Sequence, residues 1–206
     1  MSPLRAYWTF WRLHFSGPPR PLFRRFTWEL WQTVLGYWVG AWVIARYRVE
    51  EISHFDGAIV LAVKMGRPYW GGVCFGTVIL GDVRIKGEVN NHLFMHEFGH
   101  TLQSRSSGPL YLFKYGLPSL RSAMSKGIHY LHPVEQDANL RALTYFSQQP
   151  GFTRWIYEFN PIMVGSSILK DKWWEFIPMI YPFMHLFYAF QSQKAKPQSP
   201  KNDAAD

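Results

Sequence analysis

The sequence predicts an α+β fold: a small antiparallel sheet packed on one central helix, with extra apolar and aromatic helices at both ends. Three observations predict it. Short β-branched runs punctuated by glycine fill the stretch from Tyr47 to Ile85, and helical apolar spacing begins near Asn91. Aromatic residues gather in two places, the first 47 residues and Trp155 to Phe190. A chain of 206 residues suits one domain with attached helices.

The first element is basic and aromatic. The formal net charge is +8 and aromatic residues make up 18% of the chain, and both features concentrate at the start. Arg5, Arg12, Arg20, Arg24 and Arg25 alternate there with Trp8, Phe10, Trp11, Phe15, Phe23 and Phe26. Such a mixture fits anionic lipid headgroups, where cations meet phosphate and rings sit at the interface. It also suits stacking on single-stranded nucleic acid. The next stretch favours lipid, so membrane lipid is the expected partner and nucleic acid is not. Trp28 to Ala45 is mostly apolar, preceded by Arg24-Arg25 and closed by Arg46 and Arg48. Its length is at the lower bound for a spanning helix, about 17–25 residues. Glu29, Thr33, Gly36 and Gly40 share one small-residue face suited to close helix packing. The stretch can span a bilayer, lie in its interface or pack as a core helix. Arginines at both ends remove the charge asymmetry of a spanning helix, so interfacial or re-entrant attachment is the expectation, with a core helix second. A secretory signal peptide is excluded by its late start, by Glu29 and by its arginine end.

Three strands are expected next, Tyr47 to Ile52, Ala58 to Val63 and Val73 to Leu80, with turns at Asp56-Gly57 and at Met65 to Pro68. Cys74, the single cysteine, falls in the third and reads as a buried thiol, without any intramolecular disulfide. Asn90 and Asn91 then offer caps for a helix from about Asn91 to Gln103, ending near Ser106-Ser107-Gly108-Pro109. Pro133 opens a further helix that runs to Phe146.

The central helix carries His96-Glu97-Phe98-Gly99-His100, which fits H-E-x-x-H. Residues four apart lie about 40° apart around a helix, so both imidazoles project from one face and can share a metal ion. Glu97, rotated by about 100°, stands beside such an ion as a general base rather than on it. A catalytic zinc takes three protein ligands and keeps a fourth position open. Glu135, in the first turn of the helix opened by Pro133, is the expected third. Asp137 would point about 200° away around the same helix. Asn139, one turn beyond Glu135, is placed to hydrogen-bond a ligating histidine. His129, Tyr130 and His132 are candidate donors to the oxyanion of a tetrahedral intermediate, although loop histidines exposed to solvent are the plainer reading of His129 and His132. Gln103 and Ser104 read as packing or helix-end residues. Gly99 costs about 1 kcal/mol in a helix interior, and a close approach of another backbone or of substrate would explain it.

H-E-x-x-H followed by E-x-x-x-D on a second helix marks the gluzincin zinc metallopeptidases, thermolysin-like enzymes among them, which this chain resembles. The resemblance implies His96, His100 and Glu135 as zinc ligands and Glu97 as the catalytic residue. Asn139 stands where that family has aspartate, which removes a carboxylate that would raise imidazole basicity. The longer pattern H-E-F-G-H-T-L-Q-S, with G-P-L-Y-L and G-L-P-S after it, is similar to an uncharacterised group of small bacterial zincin-like proteins over about residues 28 to 145. Zincins hold extended peptides along a sheet edge, and Val73 to Leu80 or a neighbouring strand is the expected edge.

Beyond the second helix, Trp173 to Phe190 is an apolar stretch broken by Pro178 and Pro182, with His185 as a structural histidine, and Gln191 to Asp206 reads as a disordered tail. Three parts are therefore expected: a basic aromatic membrane-associating segment (1–46), a zincin-like metallopeptidase domain with aromatic C-terminal helices (47–190), and a polar tail (191–206). The function expected is zinc-dependent peptide hydrolysis on a peptide or protein substrate by a bacterial, membrane-associated protein whose domain faces the cytoplasm. The alternative is a non-catalytic membrane-associated scaffold with a degenerate or structural metal site.

Overall fold

The computed structural model describes residues 1–66, 71–124 and 129–153. The expectations for Trp173–Phe190, His185 and residues 191–206 lie outside them. The described elements run α1 (Pro3–His14), α2 (Pro19–Phe26), α3 (Leu30–Arg46), β1 (Arg48–Phe55), β2 (Ala58–Lys64), β3 (Gly72–Phe75), β4 (Val78–Gly81), α4 (His92–Ser107), α5 (Leu117–Met124) and α6 (Pro133–Phe146). A π-helical turn, Leu112–Gly116, leads into α5, and a 3-10 turn, His129–Leu131, precedes α6. The fold class is α+β.

The sheet corrects one expectation. Its order is β1-β2-β4-β3, and β2 pairs with β4 in parallel, so the sheet is mixed rather than antiparallel. The expected strand Val73 to Leu80 is in fact a hairpin. Gly76 adopts φ 64°, a left-handed turn conformation, and splits the apolar run into β3 and β4. The hairpin folds β4 inward against β2 and leaves β3 at the edge.

Both faces of this sheet are covered, as the continuous apolar runs in β2 and β4 require. Alternate residues point to opposite layers. Ile59, Leu61, Val63, Val78 and Leu80 meet Ala6 and Phe10 of α1 and Val43 and Ile44 of α3. Val60, Ala62 and Ile79 meet Phe94, Met95 and Phe98 of α4 and Ala142 and Phe146 of α6. The first 46 residues thus share a core with the strands, and no core boundary falls at the expected residue 46.

Helix α3 buries the small-residue face read from the sequence, but against the sheet and α1. A Cβ at Gly36 would lie 2.6 Å from the Phe75 carbonyl oxygen, and one at Gly40 would lie 2.7 Å from the Phe10 ring. Its opposite face, with Trp31, Trp38 and Trp42, is exposed. Among the described residues, no helix is long and apolar enough to cross a membrane.

Arg25 fastens the N-terminal layer. Its buried guanidinium donates to the His14 carbonyl at the end of α1 and to the Gly57 carbonyl in the β1–β2 turn, both at 2.6 Å. Carbonyls at a helix C-terminus lack intrahelical donors, and a buried cation there satisfies them. The same charge acts on His14, whose ring is buried beside Tyr37 and Phe26. Burial first, and Arg25 second, lower the His14 pKa from 6.5 to about 4. Between those values the unfolded chain binds a proton that the folded one refuses. Stability is therefore complete above pH 6.5 and falls as pH drops toward 4. His14→Phe is expected to shrink the stability difference between pH 7 and pH 4.5 by about 2–3 kcal/mol in urea titrations. An unchanged difference would show that His14 is not the group responsible.

Candidate metal centre

Helix α4 begins where the sequence places it. Asn91 is its N-cap, its side-chain oxygen accepting from the Phe94 amide at 3.0 Å. That start sets the H-E-x-x-H stretch mid-helix, with Phe94, Met95 and Phe98 turned into the core. His96 and His100 project together, their ring centroids 5.1 Å apart. Helix α6 begins at Pro133 with His132 as N-cap, its Nδ1 accepting from the Val134 amide at 3.3 Å. Glu135 follows in the first turn and faces α4.

The three side chains converge. Glu135 Oε2 lies 3.2 Å from His96 Nε2 and 3.1 Å from His100 Nε2. The ligand atoms of His96, His100 and Glu135 all lie within 4.8 Å of one another, so one ion can take a donor from each. Gly99 makes this approach possible. A Cβ there would overlap the Ala138 carbonyl group of α6, so only glycine lets the two helices close at this level. The expected close backbone approach at Gly99 is thus identified as α6.

The outward nitrogen of each imidazole is fixed. His96 Nδ1 donates to Asn139 Oδ1 at 2.7 Å, as expected of Asn139. His100 Nδ1 donates to Gln103 Oε1 at 2.8 Å. The Gln103 amide has one orientation available, because its Nε2 donates to the Val134 carbonyl (2.8 Å) and to Asp137 Oδ2 (2.9 Å). Both histidines therefore aim Nε2 at Glu135, the nitrogen that would face a shared ion.

Gln103 and Asp137 are the residues that sequence reasoning missed. Asp137 does point away from the ligand cluster. Its role is to hold the amide that holds His100, with Arg141 Nε on the same oxygen at 2.7 Å. The available signal was a glutamine three residues after the second histidine, on its own helix face.

Glu97 is buried beside the cluster, against the backbone of β3. A Cβ at Gly72 would lie 2.7 Å from Glu97 Oε1, so the glycine makes room for the carboxylate. Burial raises the Glu97 pKa, against the pull of His96 and His100. For His100, burial alone would lower the pKa; the Glu135 carboxylate outweighs it, and the value rises to about 9. Glu135 is correspondingly held well below the ordinary carboxylate range, its burial outweighed by His100 and His96.

The three oxyanion candidates part company here. His129 lines the same cavity, with Nε2 3.7 Å from Glu135 Oε1 and Nδ1 3.1 Å from Ser122 Oγ. Burial lowers its pKa. Tyr130 is exposed and outside the cavity lining, and His132 is engaged as the α6 cap. Of that set, His129 alone faces the cluster.

The cavity in front of these groups measures about 650 Å³. β3 forms one wall, and Leu112, Leu117 and Leu120 form another. No protein-family model matches the chain, and neither does any curated protein or solved structure.

The donor set tests well against a divalent cation. Two imidazole nitrogens and a carboxylate form an arrangement that borderline metals such as zinc accept. More telling is Glu135 Oε1, which is buried and has no hydrogen-bond partner among the described residues. A buried carboxylate oxygen without a hydrogen bond is costly, and a cation beside it would offset that cost. The helix contact beneath is open to a direct test. Gly99→Ala is expected to lower unfolding stability by about 1–3 kcal/mol through overpacking against Ala138. Chemical denaturation measures this, and unchanged stability would show that α4 and α6 can separate at little cost.

Proposed function

We propose that this chain is a membrane-associated zinc metallopeptidase that hydrolyses peptide bonds in a peptide or protein substrate, with Glu97 as general base. One observation carries the reading. Glu135 Oε2 sits within 3.2 Å of both Nε2 atoms, its buried Oε1 has no hydrogen-bond partner among the described residues, and the buried Glu97 carboxylate follows His96 on α4. His96, His100 and Glu135 would hold the ion. Zinc held there would supply Lewis acidity.

The chain's own groups do the rest. Glu97, buried against Gly72, is positioned to accept a proton from the attacking water and return it to the leaving nitrogen. His129 can donate a hydrogen bond to the developing oxyanion from the cavity wall. An extended substrate can pair with β3, because β4, the other half of the expected strand, is enclosed between its neighbours. Gly72 to Phe75 lie along the cavity, so main-chain hydrogen bonds to β3 would bring a peptide past Glu97. The exposed tryptophans of α3 and the basic aromatic N-terminal helices support attachment to lipid.

Glu97→Gln is expected to cut kcat by about 10²–10⁴-fold while zinc content by elemental analysis stays unchanged, whereas His100→Ala loses the zinc. Full turnover by Glu97→Gln would exclude the assigned base. Gln103→Leu is expected to weaken zinc binding by about 10–100-fold, read by competition with a chelator. Undiminished affinity would mean that His100 does not depend on its amide partner.

A further inference from the structure

The cavity in front of Glu97 opens between two exposed apolar stripes. On α3, Trp31, Leu35, Trp38 and Trp42 recur at helical spacing on the face turned away from the sheet, and all four are exposed. Across the cavity, Phe113, Leu117, Leu120 and Met124 recur at the same spacing along the π turn and α5, and are likewise exposed. The stripes meet at the mouth, where Leu35 from the first and Phe113, Leu117 and Leu120 from the second line the cavity itself. Trp38 is 69% exposed and Phe113 67%, an unusual placement for large apolar side chains on both sides of a polar site.

We propose that these stripes form one lipid-docking face, that the candidate site opens within it, and that its substrate is a polypeptide segment lying at an anionic lipid surface. The substrate class rests on the metallopeptidase reading above; the docking face does not. Charge selects the occupant. Arg5, Arg12 and Arg20 on the N-terminal helices and Arg46 at the end of α3 are exposed. Anionic headgroups neutralise such charges, whereas a second copy of this chain, itself at +8, adds to their repulsion. Exposed tryptophans flanked by arginine match the interfacial zone of a bilayer, where the ring is partly buried and the cation stays hydrated. A segment at that depth reaches the cavity mouth along the apolar stripes and meets β3 and Glu97 beyond them.

The test uses the full chain with phosphatidylcholine vesicles, with and without phosphatidylserine. Docking predicts co-sedimentation more than about tenfold stronger on the anionic vesicles, weakened by at least that factor in the combined Trp31→Ser, Trp38→Ser, Trp42→Ser variant. A fluorophore attached at Leu117→Cys should be quenched by brominated lipid, while one at Glu51→Cys on β1 should not. A label at position 117 quenched by aqueous iodide in the vesicle-bound state would overturn the proposal. So would shielding from both quenchers, which would mean that polypeptide covers the face; a doubled mass in solution would identify a second copy. In the substrate arm, a peptide anchored to the vesicles should be cleaved with at least tenfold higher kcat/KM than the same peptide free in solution. Equal rates would overturn the substrate class. Cleavage of neither peptide by zinc-loaded protein would overturn the hydrolase reading together with its substrate, and would leave the docking result standing.

Discussion

A carboxylate held between two imidazoles inside a protein is the constraint on which the rest of this structure depends. Glu135 is 1% exposed, and bringing it out of water is costly unless positive charge answers it. Without an ion, the electrostatics answer by favouring a proton on His100, whose pKa rises to about 9. A divalent cation at the same point would answer all three side chains, including the Oε1 that lacks a hydrogen bond. The cluster can exist only because α4 and α6 approach closely, and that approach exists only because residue 99 has no side chain. One missing methyl group therefore fixes the interhelical distance that permits the convergence.

The sheet supplies the second half of the geometry. With both faces covered by helices, β2 and β4 form an apolar slab, and α4 is held to it by Phe94, Met95 and Phe98. The face of α4 that remains looks toward α6 and the edge strand. The hairpin at Gly76 decides which strand forms that edge. Had the run from Val73 to Leu80 formed one continuous strand, β4 would not be tucked against β2, and β3 would not border the Glu97 carboxylate.

Much of this was legible in residues whose type and spacing have a local cause. The Asn91 cap, the shared face of His96 and His100, Pro133 at the start of α6 and the place of Glu135 in that helix's first turn follow from helix geometry and capping. So does Asn139, one turn beyond Glu135. The mixed sheet was not legible, because Gly76-Thr77 inside an apolar run gives little sign of which neighbour each half will pair with. Gln103 and Asp137 were hidden for another reason: their roles depend on the separation of two helices, which no single-helix periodicity encodes. Trp28–Ala45 was ambiguous because its average apolarity does not say what covers it. A sheet and a lipid interior both accept such a helix, and here the glycine face takes the sheet.

The polar residues within that apolar stretch tie α3 to α4. Glu29 is fully buried; its Oε1 accepts from Ser104 Oγ on α4 at 2.6 Å and its Oε2 from Arg24 at 2.6 Å. Gln32 donates to Ser104 Oγ at 3.1 Å and to the Gly108 carbonyl at 3.0 Å, at the end of α4. Nearby, the Trp28 indole donates to the Arg105 carbonyl at 3.1 Å. Buried polar contacts of this kind tolerate little sliding, since each lost partner leaves a costly unsatisfied group. Residues that look misplaced in an apolar helix are therefore its registration pins. They fix the position of α3 along α4, and with it the height of the tryptophan stripe relative to His96, Glu97 and His100. A surface that engages α3 is thereby held at a set distance from the site chemistry, with no hinge needed between the two.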